Sequence, residues 1–322
     1  MKRFQIFLGV AISLACGFYA FHDVKWEKIT AAFSRIDAIS FLPALAMFAL
    51  LLLFRAYRWQ MFVNPIQAVP LRHFWSATMI GFMANDLLPL RAGEVVRAYA
   101  LSHLASVRLS TAVATTVLER VWDAVAVAVI LTVTLSRFPL PDWLRHTNTI
   151  LLGLCALVLI GGWLLVQQGE IAFARLPPRI ARLTRHFIHG FTVLRSVPLI
   201  FGVLSISLLI WLALTGFYWV MLRACGFNLP FQAAFVVMIL TVFASAIPAA
   251  PGYLGTFQVA MEIALGFFSI PKEEALGFSL VAHITQILPV VIVGLIELFR
   301  ARLPLWPSQL GKAASATLPK EN

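Results

Sequence analysis

The sequence contains few charged residues: they occupy 12% of its 322 positions, where an ordinary soluble domain carries about 25%. Hydrophobic residues, in contrast, occupy 61% of the chain. A water-soluble chain of this length could not bury so much apolar surface in one core. The shortage of charge therefore excludes an ordinary soluble fold and indicates a chain whose main solvent is lipid.

Cysteine is also rare, and its three positions, Cys16, Cys155 and Cys225, fit neither a disulfide framework nor a metal site. The sequence lacks a Ser–His–Asp set, an HExxH zinc motif and a glycine-rich phosphate loop between a strand and a helix. We therefore expect no catalytic residues, no metal and no cofactor, and we do not expect an enzyme.

Long apolar runs take the place of these features, and a membrane-spanning helix needs about 20 apolar residues. The uninterrupted runs are Phe4–Phe21, Ala38–Phe54, Thr111–Leu135, Thr149–Val166, Val197–Leu222 and Ala275–Phe299, and the runs interrupted by Pro and Gly are Leu71–Leu90 and Phe231–Ile270. The sequence therefore predicts an all-α, polytopic membrane helix bundle with about six full spans. The two interrupted runs are predicted to form re-entrant units made of broken helices.

The net charge of +11 suggests nucleic acid as a partner, but its distribution follows membrane topology instead. With a cytoplasmic amino terminus and six crossings, 17 Lys and Arg residues fall in cytoplasmic segments, among them Arg55 and Arg58, and 7 fall in external segments. This excess obeys the positive-inside rule. We therefore expect no nucleic acid as a partner, a cytoplasmic (inner) membrane location, and both termini in the cytoplasm.

The predicted spans leave no room for a soluble domain. We expect one transmembrane domain over residues 1–303 and a disordered cytoplasmic tail over residues 304–322. The longest polar stretch, Gln167–Ser196, is rich in Arg and His and has apolar residues at helical spacing. It is either a basic amphipathic helix on the cytoplasmic membrane surface or a loop that simply obeys the positive-inside rule.

The two interrupted runs resemble each other. The first reads FWSATMIGFMANDLLPLRAGEVVRAYALS and the second reads AAFVVMILTVFASAIPAAPGYLGTFQVAMEIAL. Each has an apolar stretch, a Pro, and a Gly four positions later, and 159 residues separate Pro89 and Gly93 from Pro248 and Gly252. Three predicted crossings lie between the runs, so the second enters the membrane from the opposite face. This arrangement predicts an inverted repeat with halves at roughly residues 38–136 and 197–300.

A helix break inside a membrane is a candidate binding site, because it frees backbone N–H and C=O groups that must be satisfied. A helix that restarts at Gly93 or Gly255 directs its positive end inward, which favours an anion such as a lipid phosphate. The alternative is that Pro and Gly only kink two packed helices. The predicted substrate-binding residues are Asn85, Asp86, Pro89, Arg91, Gly93, Glu94, Arg97, Pro248, Pro251, Gly252 and Gly255.

Further charged residues occur in or beside the predicted spans. Glu119 and Asp123, with Arg120 between them, share one helix face at i,i+4 spacing. They either form a buried ion-pair network between helices or contact the substrate directly. For Arg91 and Arg97 we expect contact with a lipid phosphate, because the guanidinium fork matches phosphate geometry. Glu94 could orient either arginine.

Three ordered motifs carry a resemblance to a known family. NDLLPLRAGEVVRAYAL, VLERVWD and AIPAAPGYLGTF resemble the transmembrane region of lysylphosphatidylglycerol synthases, which is also found alone as a flippase-like family. The resemblance extends roughly from Phe4 to Phe299 and implies a membrane module that moves lipid between leaflets. In the bifunctional relatives a cytosolic domain attaches an amino acid to phosphatidylglycerol. The sequence stops at Asn322 without that domain, so we do not expect synthase activity.

Two positions depart from the pattern that the resemblance implies. Gln258 stands where the family pattern has Glu, with Glu262 one turn later as a possible substitute. His283 stands where the last helix often carries Arg. Both changes remove fixed charge from the second half, which puts in doubt that the same aminoacylated lipid is the substrate. His283 is either a titrating group that couples movement to protons or a hydrogen-bonded core histidine.

The function expected from residues and resemblance together is transport of a phospholipid or lipid-linked molecule between leaflets. The alternative is a non-transporting accessory subunit of a lipid biosynthesis pathway, with hopanoids as one candidate because some members of the family are associated with them. The expected partners are membrane lipids, with a biosynthetic enzyme or a second copy of the chain as further candidates.

Overall fold

In a computed structural model, residues 2–22, 41–88, 91–137, 142–168, 196–247 and 250–303 are described, and this part of the chain is all-helical, as the sequence predicts. The helices are α1 (Lys2–Phe21), α2 (Phe41–Val63), α3 (Leu71–Leu87), α4 (Gly93–Ala105), α5 (Leu109–Arg137), α6 (Asp142–Gln168), α7 (Val197–Ala224), α8 (Phe231–Ala246), α9 (Thr256–Gly266) and α10 (Lys272–Ala301), with a 3₁₀ turn at Pro251–Tyr253. The predicted tail at 304–322, most of the basic segment Gln167–Ser196, and both Pro89 and Pro248 lie outside the described residues.

Two units in the chain repeat one order of elements. Each unit has a long helix, a pair of short helices separated by a break, and a second long helix. The first unit is α2, α3, α4 and α5, and the second is α7, α8, α9 and α10. Helix α1 packs on α9 of the second unit, and α6 packs along α5 of the first. The order of elements is the predicted one, and the inverted orientation of the units stays a prediction.

Four of the described helical segments are long and apolar enough to cross a membrane: Phe41–Val63, Asp142–Leu164, Val197–Ala224 and Lys272–Ala301. Helix α5 has 29 residues but carries several charged side chains, which is why composition alone does not select it. The protein is therefore a multi-pass membrane protein, and the predicted count of six spans stays a prediction.

The second helix differs from its prediction. The apolar run ends at Phe54, which placed Arg55 and Arg58 in a cytoplasmic segment, but α2 continues to Val63 and buries both arginines. A span predicted from hydropathy ends where an arginine interrupts the apolar run. Here carboxylates on α5 compensate the two charges inside the bundle, and the sequence does not show that pairing.

The two units contact each other tightly on one side and loosely on the other. Helices α3 and α10 approach so closely that a Cβ atom on Gly294 would lie 2.4 Å from Met83 Cβ and 2.8 Å from the Met79 carbonyl oxygen. Helices α5 and α8, which hold the equivalent positions on the other side, touch over a much shorter stretch. Residues of both α5 and α8, Ala124 and Phe243, line a cavity that is described below.

Replacement of Gly294 tests this close approach. We expect Gly294→Ala to reduce the free energy of unfolding by about 1–3 kcal/mol, because the added methyl group forces α10 away from α3. Gly153→Ala in α6 is the matched control, since a Cβ there meets nothing within 4 Å. It should leave the protein equally stable or more stable, by up to about 1 kcal/mol, through better helix propensity. Unfolding in mixed micelles, followed by tryptophan fluorescence, measures both variants, and equal stabilities would contradict the close approach.

Candidate functional site

Both predicted helix breaks are present. Helix α3 ends at Leu87 and α4 begins at Gly93, while α8 ends at Ala246 and α9 begins at Thr256. The backbone passes through left-handed conformations at Arg91 in the first break and at Gly252, Tyr253 and Gly255 in the second. The breaks also meet, because a Cβ on Gly252 would lie 3.5 Å from the carbonyl oxygen of Asp86. Pro251 begins the 3₁₀ turn of the second break.

Gly93 makes possible the close packing of α3 on α4. A Cβ atom on Gly93 would lie 2.0 Å from the Gly81 carbonyl oxygen and 2.5 Å from Oδ1 of Asn85. No residue with a side chain fits at such distances, so the glycine is explained by packing rather than by close approach of a ligand. Asn85 lies at this crossing and also lines the cavity described below.

The second break satisfies its own backbone. The N–H of Gly255, which caps α9, donates to Oε1 of Gln258 at 2.7 Å. The N–H of Ala250 donates to Oγ of Ser13 in α1 at 2.7 Å. Gly255 itself packs against α1, where its Cβ would lie 2.4 Å from the Ser13 carbonyl oxygen. A side-chain cap thus occupies the helix start where we expected an anion, so Gly255 and Gln258 have an architectural explanation.

Arg91 joins the two breaks. Its guanidinium donates to the carbonyl oxygen of Ser245, in the last turn of α8, with the Ser245 hydroxyl at 3.4 Å. The same group lies over the ring of Tyr253, 5.7 Å from its centroid. A cation at the carboxyl end of a helix is favourable. Arg91 therefore links the units, and it also lines the cavity, where it was predicted to contact phosphate.

A cavity with two contiguous lobes lies between the units. The larger lobe has a volume of about 440 Å³ and the smaller one about 220 Å³. Phe48, Phe82 and Trp211 form part of a wall that both lobes share. Charged side chains concentrate in the larger lobe: Arg55, Asp86, Arg91, Glu94, Arg120 and Asp123. The smaller lobe adds the polar groups of Tyr218, Thr241 and His283, which can form hydrogen bonds.

Seven charged side chains from α2, α4 and α5 form a connected ion network behind and within the wall of the larger lobe. Arg58 Nη2 lies 2.8 Å from Asp123 Oδ1 and 3.7 Å from Glu119 Oε1. Arg97 pairs with Glu119 and, at 3.7 Å, with Glu94. The remaining contacts to Asp123 and Glu94 are Arg55–Asp123 at 3.3 Å, Arg120–Asp123 at 3.1 Å and Arg120–Glu94 at 3.3 Å.

The network has a buried half and a half that faces the cavity. Arg58, Arg97 and Glu119 are almost completely buried, whereas Arg55, Arg120, Glu94 and Asp123 line the larger lobe. The charged residues of α5 were expected either to form a buried ion-pair network or to contact the substrate. For Glu119 the geometry favours the ion-pair network. Arg120 and Asp123 belong to the network and to the cavity wall, so their geometry is compatible with both roles.

Arg97 and Glu262 do not line the cavity. The Arg97 side chain is 1% exposed, and its guanidinium lies 4.2 Å from the ring centroid of Trp59. The geometry therefore favours a structural role for Arg97 over the expected contact with phosphate. Glu262 lies 3.7 Å from Nζ of Lys272. Its carboxylate already has a counter-charge away from the cavity, which argues against its acting in place of Gln258.

The two departures from the family pattern contact each other. Nε2 of Gln258 lies 3.2 Å from Nδ1 of His283, and the His283 ring stacks on Phe257 with centroids 4.2 Å apart. An amide–imidazole pair thus stands where the resemblance implied a carboxylate and a guanidinium. His283 is a hydrogen-bonded, stacked residue in the wall of the smaller lobe.

Sequence reasoning missed Arg55 and Arg58 as members of the site. The available signal was their i,i+3 spacing directly after an apolar run, together with two carboxylates at i,i+4 spacing in α5. The two arginines can share one face of α2, and the two carboxylates can share one face of α5. Only the relative position of α2 and α5 shows that the two faces meet.

Substitution of Arg58 tests the ion network. We expect Arg58→Gln to reduce the free energy of unfolding by about 3–5 kcal/mol, because Asp123 and Glu119 lose a buried counter-charge. Arg300→Gln is the control: its side chain is 72% exposed and pairs with Glu297 at 3.2 Å, and loss of such a pair should cost less than about 1 kcal/mol. The same micelle unfolding measurement applies, and similar losses for both variants would argue against the network.

Comparison with known proteins identifies the protein family. A search among curated proteins finds no match. The family model described as the lysylphosphatidylglycerol synthase TM region matches residues 6–294, which include both helix breaks, the ion network and the cavity. The chain therefore belongs to the family of the lysylphosphatidylglycerol synthase transmembrane region, as a multi-pass membrane protein with a lipid-related function.

Proposed function

We propose that the protein moves a phospholipid or a lipid-linked molecule between the leaflets of the cytoplasmic membrane. The observation that carries the proposal is the cavity between the two units, which holds charges of both signs inside an otherwise apolar bundle. Ionisable residues at membrane depth are costly and commonly mark a transport pathway. In this proposal the lipid headgroup passes through the cavity while its acyl chains remain among the surrounding lipids.

The shape and lining of the larger lobe fit an amphiphile. Its volume of about 440 Å³ lies within the range of about 300–1,000 Å³ that is usual for small-molecule sites. Arg55, Arg120 and Asp86 provide charged contacts for a headgroup, and Val127 and Leu151 continue the wall with apolar side chains. The lobe therefore offers charged contacts to the headgroup and apolar contacts to the part of the lipid next to it.

The proposed entrance lies between α5 and α8. These helices touch over a short stretch, whereas α3 and α10 are packed tightly on the opposite side. Ala124 of α5 and Phe243 of α8 both line the larger lobe. A lipid headgroup would therefore enter the cavity from the bilayer on this side without separating closely packed backbones.

Leaflet exchange in liposomes that contain only the purified protein tests the proposal. Lipids labelled on an acyl chain keep their natural headgroups, and their exchange is followed by quenching of the label in the outer leaflet. We expect the wild-type protein to accelerate exchange and Ala124→Trp to slow it by about tenfold or more, because the larger side chain fills the lobe and displacing it costs energy.

Val133→Trp is the matched control. It lies on the same helix and is 58% exposed on the outer surface of the bundle, so it should exchange lipids like the wild-type protein. Equal exchange by Ala124→Trp and Val133→Trp would contradict passage through the cavity. If the correctly folded wild-type protein exchanges no lipid, transport is excluded and the accessory role in lipid biosynthesis becomes the better explanation.

A further inference from the structure

Building on the proposed function, we infer that the transported headgroup is zwitterionic and joins a phosphate to a primary ammonium group, as in phosphoethanolamine. The inference rests on the distribution of charges and hydrogen-bonding groups around the larger lobe. One part of the wall needs an anion and hydrogen-bond acceptors. Another part needs a cation that can donate hydrogen bonds.

Within the ion network, positive charges outnumber negative charges by one. It contains four arginines and three carboxylates, so its formal sum is +1. A net charge inside a membrane bundle requires a counter-charge. Arg120 is the network's most exposed arginine, with 40% of its side chain accessible, and it lines the larger lobe beside Arg55. Arg55 and Arg120 therefore bring the surplus to the wall of the larger lobe, with Nε and Nη2 of Arg120 buried in that wall.

The indole of Trp211 belongs to the same wall, and its N–H is buried there. The residue lines both lobes and is 5% exposed. Its Nε1–H has no acceptor among the described residues. A buried donor without a partner is unfavourable, and the indole N–H can only donate. An oxygen-rich anion would supply acceptors to this part of the wall as well as the charge that the network lacks.

Asp86 presents the opposite requirement. Its side chain lines both lobes, and its carboxylate has no ion pair or hydrogen bond among the residues that the structure describes. Nearby Arg91 is already engaged by Ser245 and Tyr253. A carboxylate at membrane depth needs a cationic donor. A primary ammonium offers positive charge and three N–H donors.

Other headgroups satisfy only part of this arrangement. A glycerol headgroup gives Asp86 hydroxyl donors but no positive charge. A quaternary ammonium gives charge but no N–H donor. A phosphate with a primary ammonium satisfies both parts of the wall at once, with the phosphate near Arg55 and Arg120 and the ammonium near Asp86.

A matched pair of lipids tests the inference. Acyl-labelled phosphatidylethanolamine and its N-acetyl derivative differ only at the amine, because acetylation removes the positive charge and leaves the phosphate. We expect the wild-type protein to exchange phosphatidylethanolamine about tenfold faster or more, which is the range expected when one partner of a buried, hydrogen-bonded charge pair is lost. Phosphatidylglycerol should exchange at the slower rate.

Asp86→Asn assigns this selectivity to one carboxylate. The ratio of the two exchange rates should fall to near one in Asp86→Asn, because the amide still accepts a hydrogen bond but carries no charge. Asp142→Asn makes the same change at the exposed start of α6 and should keep the wild-type ratio. A wild-type ratio near one, or a ratio that Asp86→Asn leaves unchanged, would overturn the inference while leaving transport itself intact.

A binding measurement separates this inference from the proposed function. Short-chain phosphatidylethanolamine should raise the melting temperature of the wild-type protein in detergent more than its N-acetyl derivative does, and Asp86→Asn should abolish the difference. Selective stabilisation without any leaflet exchange would support the headgroup and exclude transport. Exchange of lipids with no selectivity in either assay would support transport and exclude the headgroup.

Discussion

Charge within a lipid-solvated bundle is stable only where opposite charge meets it, and the ion network of α2, α4 and α5 is the place where this protein meets that requirement. Asp123 contacts Arg55, Arg58 and Arg120, so one carboxylate joins α2 to α5. Glu94 and Arg97 connect α4 to the same group. These contacts fix the first broken pair against its flanking helices, and they place a rigid charged wall along one side of the cavity.

In the second unit, hydrogen bonds rather than ion pairs hold the described residues of the break. Gln258 caps α9 and also contacts His283, and Ser13 of α1 accepts a hydrogen bond from the break. The two units therefore share an order of elements but differ in chemistry. Because the charges of the first unit and the neutral polar groups of the second border one cavity, a ligand there meets different partners on its two sides.

Packing between the units is the basis for the proposed side on which a lipid enters the cavity. Gly294 allows α10 to approach α3 closely, while α5 and α8 touch over a much shorter stretch. Arg91 contacts the carboxyl end of α8. The proposed lipid path follows from these differences, since it enters on the side where the two helices have the shorter contact.

The sequence by itself determined the all-helical membrane fold, the positions of both breaks and the shared face of Glu119 and Asp123, because each depends on local hydropathy, Pro, Gly or helical spacing. Tertiary structure alone decided that Arg55 and Arg58 are buried partners of these carboxylates, that Arg97 is buried in the ion network, and that the Asp86 carboxylate finds no partner among the described residues. The physical reason is that compensation of buried charge depends on which helix faces meet. That choice is made by packing between segments distant in sequence, and no local pattern encodes it.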